Sequence, residues 1–297
     1  MQNSSALKAT SSIFNKRKRP SDIILYGLIF LFSAAIVAMI LYFLVYILIQ
    51  GIPGLTWDFI STAPNPIEDT VGILPSIINT LYIILLSLII SVPIGVGGAI
   101  YINEYAKNKK LIRVIEFTTE TLSGIPSIIF GIFGYIFFCT FLNLKVSLLS
   151  GALTLTLMVL PTIIRTTQEA LRSVPKSYRE GALGIGATKW YMIRTILLPS
   201  SSSGIITSII LSIGRIVGES AALLLVAGGS AMYMPKGSFF DQIMSSGSTL
   251  SVELYRYAYS RGDNEIGFSI AAILLIIVLI LNLLARVVSK RVQKKHK

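Results

Sequence analysis

Arg215 and Glu219 stand in an otherwise apolar stretch, LSIGRIVGES, running from Leu211 to Ser220. Spaced four apart, they share one face of a helix. Gly214 and Gly218 add a G-x-x-x-G pair that permits close helix packing. A charge inside a membrane segment costs about 2.5–3.5 kcal/mol on insertion scales, so such groups normally face a cavity or a partner. A guanidinium keeps its charge and matches the oxygens of an oxyanion. Two readings follow: an anion pathway in which Glu219 holds or gates Arg215, or an Arg–Glu pair packing a subunit interface. Arg165, in LPTIIRTTQEAL (Leu160 to Leu171), reads as an arginine snorkelling to the interface.

Other chemistries lack their residues. The one cysteine, Cys139, lies in an apolar run, and the one histidine, His296, in a Lys-rich end. No intrachain disulfide, metal cluster or Ser–His–Asp or Cys–His set can be built from these. The pattern G-x₄-G-K-[ST] is absent. Gly184 to Lys189 carries glycines and a lysine at the wrong spacing, with no strand before it. The chain is expected to be no enzyme and to bind no cofactor.

A second constellation runs from Glu180 to Pro199, EGALGIGATKWYMIRTILLP. It is too polar to cross a bilayer. Its small residues Gly181 and Ala182 suit a short helix docking into a cleft, and Gly186 permits a bend at positive φ. Trp190, Ile193, Ile196 and Leu197 form an amphipathic turn expected to lie flat. Pro199 is expected to open the next span, where its missing N–H costs least.

The elements that carry these residues follow from hydropathy. Of 297 residues 53% are hydrophobic and 13% charged, with mean hydropathy +0.74. That is too little polar surface for a soluble domain. A span needs about 20 apolar residues, and the expected spans are 22–49, 74–102, 122–142, 147–168, 204–227 and 267–288. The first run is too long for a cleavable signal. The expectation is an all-α integral membrane protein with six transmembrane helices and neither strand alternation nor internal repeat. The net charge of +12 lies at span ends rather than in one patch, which points to topology and not to nucleic acid. Twenty-one of the 26 lysines and arginines fall on one side of this layout, four on the other, and Arg215 within a span. Both termini and the Glu180 loop are therefore expected to be cytoplasmic. Trp57 and the alternating Tyr255, Tyr257 and Tyr259 read as interfacial anchors on the outer side, the tyrosines alternatively as substrate contacts.

The Glu180–Pro199 pattern resembles the cytoplasmic E-A-A-x₃-G-x₉-I-x-L-P loop of ABC-importer permeases. Glu180, Ala182, Gly186, Ile196, Leu198 and Pro199 are in place, and Gly181 replaces the second alanine. The stretch TLSGIPSIIFG, with Gly124, Pro126, Ser127 and Gly131, is similar to the GxPSxxxG element of phosphate-import permeases. Its Gly–Pro pair would break helical hydrogen bonding, which is tolerated at membrane depth where protein or a cavity covers the backbone. GRIVGESAALLLVAGG, the segment around Arg165 and the last span resemble the PstA-type permease family of phosphate importers, and for Arg165 the resemblance implies a cytoplasmic-gate or exit role as the second reading.

The resemblance implies a type I ABC-importer (MetI-like) permease over residues 72–289: a five-helix core with its coupling loop at 172–199. A basic tail (1–21), an added helix with an external loop (22–71) and a second basic tail (290–297) surround it. It further implies a prokaryotic cytoplasmic membrane, a PstC-like second permease, a PstB-like ATPase dimer carrying ATP and Mg, and a PstS-like phosphate-binding protein. The same fold serving sulfate, molybdate or another solute remains an alternative, as does an ion-coupled secondary transporter with buried acidic relays. A third reading is a scaffold reporting phosphate status to a signalling kinase.

Overall fold

A computed structural model describes residues 20–65, 70–229 and 238–294. Most of the N-terminal basic tail, the end of the C-terminal tail with His296, and residues 66–69 and 230–237 lie outside them. Among the described residues the only β pairing is one Asn65–Thr70 bridge; everything else regular is helical.

The chain divides into two units, residues 1–49 and 50–297. The first contains most of helix α1, Pro20–Gly51. In its hydropathic window, no side chain is buried. A helix apolar on every side has no aqueous surface to offer and is suited to lipid.

The second unit is built on α2 (Leu74–Ile100, continued by a π turn at Tyr101–Tyr105) and α5 (Leu148–Ser173). Between them lie α3 (Lys109–Ser123) and α4 (Ser127–Gly134, continued by a π turn to Phe141). After α5 come the short α6 (Lys176–Gly184) and the rod α7 (Lys189–Val217). The chain closes with α8 (Ala221–Val226), α9 (Phe239–Ile243), α10 (Leu250–Tyr255 with a π turn to Ser260) and α11 (Asn264–Lys294). Ile83, Leu155, Met158, Val159, Ile163, Ile216 and Leu223 form the fully buried centre shared by α2, α5, α7 and α8. Hydroxyls bind the helices across this seam: Ser87 Oγ donates to Ala152 O at 3.1 Å, and Thr156 Oγ1 to Ser87 O at 3.4 Å. Without a hydrophobic drive between helices in lipid, such bonds and close packing hold a bundle together.

Five helices are long and apolar enough to span a membrane, six if α3 and α4 count as one bent span. The expected span 122–142 is corrected here. Gly124, Ile125 and Pro126 separate α3 from α4, and the two helices meet at 102°. Pro126 sits extended at φ −57°, ψ 138°, because a proline cannot donate to the preceding turn. The polar stretch from Lys109 thus becomes a helix of its own.

The span expected at 204–227 is corrected too. α7 begins at Lys189, where the Thr188 hydroxyl accepts from Tyr191 N at 3.3 Å, and it stops at Val217. Pro199 therefore lies inside a continuous rod rather than at a span's start. The rod widens into a π turn at Ile193–Leu197 just before it, the kind of adjustment by which membrane helices absorb a proline. The amphipathic turn opens this rod rather than forming an element of its own, with Ile193 and Leu197 fully buried and Trp190 exposed.

Candidate functional site

At the loop end of the bundle, a second core made of Ala99, Leu171, Val174, Ala182, Met192, Ile193 and Leu197 joins α2, α5, α6 and α7. Ile196 and Leu198 pack against it. The motif positions thus separate into two kinds. Ala182, Ile196 and Leu198 face inward and fold the loop. Glu180 and Gly181 face outward, with open space where a Gly181 side chain would go. Gly186 has φ +85°, in the left-handed region where glycine is at no steric cost, and turns the chain from α6 towards α7. Tyr178, Leu183, Ile185 and Trp190 stand half or more exposed around Glu180, leaving an apolar surface beside a carboxylate.

A residue not singled out from the sequence fixes this platform. Arg179 Nε donates to Glu104 Oε1 at 3.1 Å, Nη1 to Val174 O at 2.9 Å and Nη2 to Leu171 O at 2.7 Å. The Glu104 side chain is 7% exposed and that of Arg179 is 18% exposed. One guanidinium therefore joins α6 to the end of α2 and to the last carbonyls of α5, where a cation also suits the helix dipole. Asn103 Nδ2 donates to the same carboxylate at 2.6 Å, and Lys189 Nζ donates to Glu104 O from the start of α7. Lys189 also lies over the Tyr105 ring, 4.9 Å from its centroid. The only sequence signal was a polar pair, Asn103-Glu104, closing an apolar span.

The 214–220 region departs from the sequence expectation. α7 ends at Val217 with Gly218 as its cap, and Glu219 N bonds back to Ile216 O, so Arg215 and Glu219 do not share a helix face. Among the described residues they form no ion pair. Glu219 Oε1 instead accepts from Ala222 N at 3.0 Å, capping α8, and its carbonyl accepts from Ser251 Oγ at 2.7 Å. Arg215 is half-buried, with no ion-pair or hydrogen-bond partner among the described residues. Neither glycine of the G-x-x-x-G pair meets another element: Gly214 faces open space and Gly218 has only its own helix nearby.

The segment from residue 238, between the last two expected spans, folds back onto the bundle. Leu250 N donates to Thr80 Oγ1 at 3.0 Å, Asn79 Nδ2 to Ser248 O at 3.1 Å, and Tyr82 Oη to Gln242 Oε1 at 2.7 Å. Glu253, 3% exposed, is neutralised by Arg256 at 2.7 Å. Tyr257 is buried, which corrects its reading as an interfacial anchor. Burial pushes its hydroxyl pKa up, while Arg261, 4.6 Å from the ring centroid, pulls it down. Tyr255 and Tyr259 remain exposed and stacked at 5.2 Å, and Trp57 is exposed.

Of the remaining candidates, Arg165 lies in an exposed network, 3.5 Å from Glu169 and 4.0 Å from Glu120 of α3. Gly124 and Pro126 form the elbow, and Ser127 begins α4. Gly131 is a packing position: a Cβ there would come 2.8 Å from Ala222 Cα of α8.

Residues 91–294 match the family described as "binding-protein-dependent transport system inner membrane component". The chain belongs to this family. It is 34% identical over 292 residues to a probable ABC transporter permease, YqgI, of Bacillus subtilis, covering 94% of this chain and 98% of that protein. It is 35% identical over 271 residues to the phosphate transport system permease PstA of Yersinia pestis, covering 86% of each chain. In fold it resembles a chain of a bacterial alginate ABC transporter, with TM-score 0.68 and 17% identity, covering 92% of this chain and 96% of that one. The five-helix core with an added N-terminal helix is thus that of an ABC-importer permease, a multi-pass membrane protein.

Proposed function

We propose that this permease subunit moves inorganic phosphate across a prokaryotic cytoplasmic membrane, driven by ATP hydrolysed on a partner chain. The observation that carries the anionic cargo is Arg215: a half-buried guanidinium near the end of a membrane helix, without a counter-ion among the described residues. Relatives named PstA at about one-third identity support phosphate among the oxyanions. A binding protein would set selectivity outside. Arg215 would compensate the anion's charge weakly enough to release it, as conduction requires.

The outward face of α6 suits a PstB-like ATPase dimer holding ATP and Mg, with a PstC-like permease and a PstS-like binding protein completing the importer. Both termini and α6 would then be cytoplasmic. The Arg179–Glu104 link makes α6 a lever that cannot tilt without α2 and α5, the helices of the central seam.

The test is ATP-dependent uptake of radiolabelled phosphate by proteoliposomes containing the complete complex. Arg215→Ala is expected to abolish uptake with the ATPase still bound, and Glu180→Lys to abolish it by releasing the ATPase. Wild-type complex that moves sulfate or molybdate but not phosphate would overturn the substrate; uptake unchanged in Arg215→Ala would overturn the arginine's role.

A further inference from the structure

The face of α3 turned towards α5 is fully used. Glu116 pairs with Arg172 at 2.7 Å and Glu120 with Arg165 at 4.0 Å. Thr119 and Leu122 line an apolar crevice with Leu157, Leu160 and Ile164. The rest of its surface is unburied and has no partner among the described residues. Leu111, Val114 and Phe117, three residues apart on adjoining turns, are 41%, 61% and 68% exposed. Lys107, Lys109, Lys110 and Arg113 are exposed beside them and make no ion pair among the described residues. α3 meets α4 at 102°, so the two cannot both run along a membrane normal.

We propose that α3 is an interfacial helix that seats Leu111, Val114 and Phe117 among acyl chains and binds anionic phospholipid headgroups of the cytoplasmic leaflet through Lys107, Lys109, Lys110 and Arg113. The chemistry decides the occupant. Four unpaired cations beside an apolar stripe match a surface that is apolar below and phosphodiester-rich above. They pair with no carboxylate among the described residues. The lipid side and the α5 side of α3 are coupled through one rigid helix. Headgroups that hold α3 in the plane also hold Glu116 and Glu120 against Arg172 and Arg165, next to the lever. The leaflet assigned here rests on the cytoplasmic orientation proposed above; immersion in lipid does not.

The test uses the complete complex in nanodiscs, with Cys139→Ala and a nitroxide at Val114→Cys. The label is expected to be accessible to oxygen and shielded from a water-soluble nickel chelate. Shielding from both would mean that a partner subunit covers the face, and access to the chelate that water does; either overturns the proposal. Spin-labelled phosphatidylglycerol should be retained over phosphatidylcholine, with the preference falling by a factor of about five per charge removed. Lys110→Gln alone should show one such step, and a variant with all four residues changed to Gln should lose the preference. An unchanged preference in the fourfold variant would overturn headgroup binding. If Lys109→Cys reacts with an impermeant maleimide added outside intact cells, the orientation fails while lipid immersion is judged separately by the nitroxide.

Discussion

Glu104 and Arg179 are far apart in sequence, yet their contact bears most directly on how work would pass through this subunit. Removing one partner of a buried ion pair costs about 3–5 kcal/mol, because the other charge is left buried and unmatched. Here the pair lies at a joint, while α6 and α7 are also held by the apolar packing of Ala182, Met192 and Ile193. Glu104→Gln is therefore expected to leave the complex assembled and hydrolysing ATP while uptake per ATP falls at least about tenfold, as a loss of roughly 1.4 kcal/mol of coupling would give. The exchange Glu104→Arg with Arg179→Glu should recover part of it, measured as the ratio of uptake to hydrolysis in proteoliposomes. Uptake and hydrolysis falling together would show instead that the pair only stabilises the fold. Arg215 contrasts with it: it has no ion-pair partner among the described residues, as the pathway role proposed for it requires.

Among the elements, the bend in the Glu180–Pro199 segment was legible from sequence, because its constraint is local. Gly186 had to bend, and it does so at φ +85° with open space around it. Any cost of Gly186→Ala is thus backbone strain alone, roughly 1–2 kcal/mol. That corresponds to a Tm lower by about 2–4 °C per kcal/mol in a chain of this size. Gly181, with equally open surroundings but ordinary helical geometry, gives the control. Gly181→Ala should be neutral or slightly stabilising, since alanine is favoured over glycine by about 1 kcal/mol inside a helix. A thermal-shift comparison of the two variants in detergent checks both, and equal shifts would refute the distinction. What the sequence hid was non-local. The Arg215–Glu219 spacing implied one face only if the helix continued, and the Glu219 carboxylate is spent capping α8 instead. The 244–257 segment read as a loop because its polar groups are satisfied by Asn79, Thr80 and Glu219, distant residues that no periodicity reveals. α3 was missed as a helix because its own bundle buries none of its side chains.

At the scale of the molecule, the distribution of charge and the bundle make one joint prediction. The polar platform of α6, the Glu104 joint and the basic start of α3 all belong to one end. The buried turn at 248–257 and the short helix Trp57–Ser61 belong to connections at the other end of the spans that flank them. A chain cannot satisfy the positive-inside rule at one of these sites and break it at another without losing a span, because the helices between them are continuous. In a Cys139→Ala background, Glu180→Cys and Arg113→Cys are thus expected to react with an impermeant maleimide only from the cytoplasmic side, and Trp57→Cys and Arg261→Cys only from outside. All four parent side chains reach the surface, so failure to label would not reflect burial. The bent pair makes the test sharp. If α3 and α4 did not together carry the chain across, Glu180 and Arg113 would label from opposite sides. A shared side requires the chain to cross the membrane an even number of times between them, with the 102° elbow as one end of the first crossing.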